Sequence, residues 1–176
     1  MSQYNQGLLG TILTKRKVFV SYHHGNDQAY YNEFSRVFSG TYDVIQDNSL
    51  DRAIDSTNTD YVMRKIREEY LTGTSCTIVL CGPQTYQRKN VDWEIKATLD
   101  KRHGLIGVRL PTLLPNTRGY VVVPDRLNDN IHSDYAVWIG WESLITPGQL
   151  ARNIEQANNK SAALIINNRP MKSRNG

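Results

Sequence analysis

The sequence predicts an α/β domain in which helices flank a central, mostly parallel sheet of five strands. Three observations carry that expectation. Short runs rich in β-branched residues alternate with stretches of helical period from residue 17 onward, the pattern that builds parallel sheets through crossover helices. The most continuous apolar run, "SCTIVLCG" at 75–82, suits a central strand buried on both faces. A length of 176 residues fits one domain able to bury a real core.

The elements follow in order. Residues 1–14 are polar or glycine-punctuated and read as a flexible lead-in. "KVFVSY" (17–22) is the first strand and ends at the polar turn "HHGND" (23–27). A helix over 28–38 carries Tyr30, Phe34, Val37 and Phe38 at helical spacing. Asp27 stands where it would cap that helix, and Gly40 ends it. "YDVIQ" (42–46) is the second strand. After a polar stretch, a helix over 59–71 repeats Val62, Ile66 and Tyr70 every four residues and stops at Gly73. The third strand, 75–82, is followed by a helix over 91–101. "GLIGVRL" (104–110) is the fourth strand, closed by Pro111.

Residues 112–145 are ambiguous: "YVVVP" and "YAVWIGW" both resemble strands around the polar "DRLNDNIHSD". One strand or two remain open there. Thr146-Pro147-Gly148-Gln149 has the cap, first-turn proline and glutamine of a helix start, and that helix runs to about Asn158. "ALII" (163–166) is a short strand or a docked tail. The chain divides into 1–14, a single domain over 15–166, and a disordered tail over 167–176. Five strands in this alternation give the flavodoxin-like order 2-1-3-4-5. Its ligand crevice lies at the carboxyl ends of strands one and three.

Charge and cysteine content narrow the functions. The formal net charge is +4, but Lys15, Arg16, Lys17, Arg169, Lys172 and Arg174 sit at the two ends, leaving 15 basic against 17 acidic residues in 18–168. A near-neutral body argues against a nucleic-acid partner. No apolar run approaches the roughly 18 residues of a membrane span, and no basic segment precedes "GLLGTIL" as in a secretory signal. A cytoplasmic protein with no membrane partner is expected. Cys76 and Cys81 lie five positions apart on one strand, facing opposite sides and roughly 16 Å apart, so a disulfide between them is excluded.

The crevice lacks several familiar chemistries. There is no G-x-G-x-x-G dinucleotide loop and no P-loop. The acid pair of a phosphoacceptor domain is replaced by His23-His24, and its aspartate by Cys81-Gly82. Adjacent His23 and His24 without a carboxylate–histidine partner motif do not make a metal site. No metal and no cofactor are expected.

One acid stands out. With Val91 at zero on a helical wheel, Ile95 and Leu99 fall at about 40 and 80 degrees and define the buried stripe. Glu94 falls at about 300 degrees and Asp92 at about 100, on its two borders, whereas Trp93 at about 200 degrees points away from the core. Acids in a first turn gain from the helix dipole, and Glu94 could do only that. Yet this helix follows the third strand and so starts at the crevice.

"KVFVSYHHGND" (17–27) together with "CTIVLCGPQTYQRKNVDWEI" (76–95) resembles the TIR-like domains of bacteria and archaea, most closely the TIR-like subunits of the Thoeris anti-phage system. The resemblance spans roughly 16–110. It implies the fold just described and an NAD⁺ nucleosidase or ADP-ribosyl cyclase activity, with NAD⁺ as substrate and Glu94 as the catalytic carboxylate. It also implies a cyclic ADP-ribose isomer as a diffusible signal to a separate effector, and homo-oligomerisation on activation. Tyr22, His23 and His24 in the first loop, and Asp47, Asn48 and Ser49 after strand two, would bind substrate. Asn90 stands where the family usually has a tryptophan, four residues before the glutamate, and Trp93 cannot replace it from another face. The alternative functions are a non-catalytic TIR-type interaction module or a nucleotide sensor.

Overall fold

The run that reads as a central strand is one. In the computed structural model, which describes residues 14–46 and 58–176, β3 (Thr74–Cys81) lies between β1 (Arg16–Ser21) and β4 (Gly104–Arg109). β2 (Tyr42–Gln46) and β5 (Val137–Gly140) complete a sheet of order β2-β1-β3-β4-β5, parallel throughout. Five of the eight β3 residues are apolar, and its side chains feed cores on both faces, as a strand without a solvent side must.

On one face Val18, Val20, Ile78, Leu80, Ile106 and Val108 pack under α1 (His24–Phe38), the short α5 (Trp141–Leu144) and α6 (Pro147–Asn158). On the other face Val79, Cys81 and Leu105 meet α3 (Lys89–Asp100) and α4 (Asp125–His132). A satellite cluster joins Phe19 to α2 (Thr59–Lys65), to Leu71, and to Trp93 and Ala97 of α3. α2 widens at its end into a π-helical turn, Ile66–Tyr70, with the Leu71 N–H donating to Ile66 O at 3.1 Å. The extra residue in that turn lets both Ile66 and Leu71 point into the core, each fully buried. Cys76 and Cys81 end in different cores and are unbridged. Burial pushes the Cys76 thiol up to about 12 and the Cys81 thiol higher still.

Several expectations need correction. α1 begins four residues early, at His24, and His23 rather than Asp27 is its N-cap. "YVVVP" is not a strand: the place beside β4 is taken by β5, and Tyr120 and Val122 are exposed. The polar "DRLNDNIH" is the helix α4. Its inward face is built from Arg126, Leu127 and Asn130, so a search for apolar period misses it. Ala162–Leu164 forms a short 3₁₀ turn, not a strand.

The largest correction concerns residues 167–176, which are ordered. They run as an extended strap over α3 and α4. Asn167 Nδ2 donates to Lys96 O (3.2 Å) and Asp100 Oδ1 (2.8 Å). The Lys172 N–H donates to Asp92 Oδ2 (2.9 Å), and the Trp93 indole donates to Lys172 O (2.8 Å). The Lys89 N–H at the start of α3 donates to Asn175 Oδ1 (2.7 Å), satisfying one of the orphan donors of a helix N-terminus. Trp93 is therefore buried, not outward-facing. α3 is covered by the sheet, α2, α4 and the strap, so most of its circumference is interior. Residues 1–13 lie outside the described residues.

Candidate functional site

Strand order reverses between β1 and β3, so their carboxyl ends open the crevice where such sheets bind ligands. Ser21 pairs in register with Val79. Period-2 alternation puts Val18, Val20 and Tyr22 toward α1, and Phe19 and Ser21 toward α3. Ser21 is buried, and its hydroxyl donates to Glu94 Oε2. That bond joins the end of β1 to the helix after β3. Glu94 is 2% exposed.

The helix is pinned beneath this carboxylate. Thr98 Oγ1 donates to Glu94 O (2.8 Å) and lies 2.7 Å from Thr77 Oγ1 on β3. With the Thr98 proton committed to the carbonyl, Thr77 is the donor of the second bond. A chain of two buried hydroxyls thus fixes the backbone that carries Glu94.

The first loop is held by aromatic packing. The rings of His24, Tyr22 and Tyr31 stack in one column, with centroids 4.3 Å and 4.8 Å apart and nearly parallel planes. The Tyr22 hydroxyl donates to Gln28 Oε1 at 2.9 Å. His23 faces its own helix: its Nδ1 accepts from the Asn26 N–H at 3.1 Å. A Cβ on Gly25 would stand 2.9 Å from the His23 ring, so a side chain there would disturb the cap.

Asp27 points inward. Its Oδ2 accepts from Thr85 Oγ1 at 3.1 Å, and Thr85 Oγ1 accepts from the Gly82 N–H at 2.8 Å. The carboxylate presses so closely on Gly82 that a Cβ there would lie 2.2 Å from Asp27 Oδ1. Burial pushes the Asp27 carboxyl above its ordinary value, while the Thr85 hydrogen bond and the charge of His23 pull it back. With Asn26 Nδ2 donating to Gln84 Oε1 (3.0 Å), these contacts tie the loop after β1 to the loop after β3.

Of the residues expected from sequence, Glu94 and Asn90 share one buried helix, and Tyr22 and His24 stack beside the end of β1. His23 is spent on the helix cap. Asp47, Asn48 and Ser49 lie outside the described residues. Ser21 and Thr98 were missed, although the alternation of β1 already aims Ser21 at the helix side of the sheet. No group of three metal-ligating side chains occurs among the described residues. A cavity of about 340 Å³ lined by Asp92, Asp125, Arg169, Lys172 and Arg174 belongs to the strap and holds none of the expected residues.

No curated protein matches the chain. Among solved structures, the activated Roq1 resistosome directly recognizing the pathogen effector XopQ (TIR domains) is similar at 12% identity with a TM-score of 0.39. That match covers 55% of this chain and 58% of the Roq1 chain. A family model described as the TIR-like domain of the Thoeris protein ThsB matches residues 19–114. The matched span is more than half of the chain and includes Ser21, the whole of β3 and the whole of the Glu94 helix. The chain belongs to the TIR-like domain family of the Thoeris protein ThsB.

Proposed function

We propose that this chain is an NAD⁺ nucleosidase or ADP-ribosyl cyclase that makes a cyclic ADP-ribose isomer as a second messenger in bacterial anti-phage defence. The observation that carries the reading is Glu94. It is a buried carboxylate on the helix after β3, held by Ser21 at the crevice where β1 and β3 diverge.

One carboxylate suffices for this chemistry. The bond broken joins C1′ of the ribose to a cationic nicotinamide nitrogen, and the electron pair leaves with neutral nicotinamide, so no general acid is needed. C1′ becomes oxocarbenium-like, as in glycoside hydrolysis. A preorganised carboxylate in a poorly hydrated site stabilises that charge strongly. Ser21 holds one oxygen of Glu94 in place, so the carboxylate meets the ribose in a fixed orientation. Capture of C1′ by water, with loss of a proton, gives ADP-ribose. Capture by a nucleophile of the same nucleotide gives a cyclic isomer, which would act on a separate effector.

The test is chromatography of NAD⁺ incubated with concentrated protein, beside Glu94→Gln. Nicotinamide release falls about 10²–10³-fold or more in the variant, and the mass of the co-product separates cyclase from hydrolase. A non-catalytic interaction module is the second reading, favoured by Asn90 at the family's usual tryptophan position. NAD⁺ left intact by assembled wild-type protein supplied with its trigger would establish that reading and overturn the enzyme.

A further inference from the structure

Asn90 is 8% exposed, and its side-chain amide makes no hydrogen bond among the described residues. That is unusual, because nearly all buried side-chain amides have partners. An unmade bond in the interior also carries the full desolvation penalty. The neighbouring buried polar groups are all engaged: Asp92 with Arg126, Glu94 with Ser21, Thr98 with Thr77. Asn90 lies four residues before Glu94, so the two side chains sit on one helical face, one above the other.

Resting on the NAD⁺ reading above, we infer that Asn90 hydrogen-bonds the carboxamide of the substrate's nicotinamide. A side-chain amide offers one acceptor oxygen and two donor hydrogens, and a carboxamide presents the complementary pair. Spacing favours it over the ribose hydroxyls. Positions i and i+4 are separated by about 6 Å along a helix. With ordinary bond lengths the carboxamide carbon lies about 5 Å from C1′, whereas the ribose 2′-hydroxyl lies within about 2.5 Å of it. With Glu94 against C1′, a group one turn away meets the far side of the nicotinamide ring. A carboxylate in place of the carboxamide has no donor for the Asn90 oxygen, so the acid analogue of NAD⁺ binds more weakly.

The experiment is calorimetry of the Glu94→Gln protein, which binds without turnover, with NAD⁺ and with nicotinic acid adenine dinucleotide. The expected result is a preference for NAD⁺ of about tenfold, erased by adding Asn90→Leu. The same Asn90→Leu change removes a buried unpaired amide and raises the unfolding midpoint by about 2–4 °C. A structural asparagine would lower it on substitution, so a fall in midpoint overturns the inference. So does an absent preference, or one that survives Asn90→Leu. If the wild type cleaves NAD⁺ and its acid analogue equally, the proposed function stands and this inference falls. Absence of any dinucleotide binding by the Glu94→Gln protein removes both.

Discussion

Asp92 and Glu94 are two residues apart on the same buried helix and sit in opposite surroundings. Asp92 faces the strap, where Arg126 reaches it with Nε at 2.9 Å and the Lys172 N–H adds a bond of 2.9 Å. Arg126 is itself fully buried and also donates to Asn167, Arg169 O and Pro170 O. Every group there has a partner in the fold. Glu94 faces the crevice and takes the neutral hydroxyl of Ser21. The lesson is that burial alone does not mark a functional acid. Asp92, held by a buried guanidinium and a main-chain N–H, is an acid that ties the strap to the helix, whereas Glu94 ties the helix to the end of β1.

The comparison can be broken at its structural end first. Arg126→Ala leaves Asp92 buried without its countercharge and costs about 3–5 kcal/mol in denaturant unfolding. Replacing both partners with apolar residues, Asp92→Leu with Arg126→Met, recovers much of that loss. A loss below about 1 kcal/mol for the single variant would mean that the strap is not holding the helix. The functional end responds differently. Ser21→Ala removes a bond to a charged acceptor, a loss of about 1.5–3 kcal/mol. Turnover should fall about tenfold while KM stays close to wild type, because the carboxylate is displaced rather than removed. Equal effects on kcat and KM would contradict the positioning role.

The smallest effect sharpens the contrast with a third acid. Asp27 has a raised folded-state pKa, so the folded protein holds its proton to higher pH than the unfolded chain does. Stability from this group is present below the ordinary aspartate value and is lost as pH rises through the folded one. Asp27→Asn should flatten that decline and be neutral or slightly stabilising at pH 7. Unfolding midpoints across the acid range check it, and an unchanged slope would rule Asp27 out as its source.

Strands and apolar helices were legible because their signal is local. "YDVIQ" matches β2 residue for residue, and Thr146-Pro147 marks the start of α6. The wheel placed Glu94 correctly beside the buried stripe. It failed for Trp93, because a wheel assumes one core face and α3 has several. The strap was invisible for a related reason. "NRPMKSRNG" is polar, and its partners are main-chain and side-chain groups on helices α3 and α4, which no periodicity reports. α4 was hidden because its inward face uses Arg126 and Asn130 in place of apolar residues. Asp27 was misread because a capping aspartate and a buried one look alike until Thr85 and Gly82 are brought beside it by the fold.

The strap also imposes a timetable. Residues 167–172 follow both α3 and α4 in the chain, so on a ribosome delivering about 5–20 residues per second they arrive after both helices. Until then Arg126 and Asp92 meet in water, where bringing charges together costs little. Dehydration comes only when Asn167, Arg169 and Pro170 arrive with acceptors for the guanidinium. Trp93 waits uncovered for the same event. The nascent domain therefore keeps one apolar seam open until its closing segment emerges. A ribosome stalled before residue 167 would display that seam to any chaperone that recognises exposed aromatic surface.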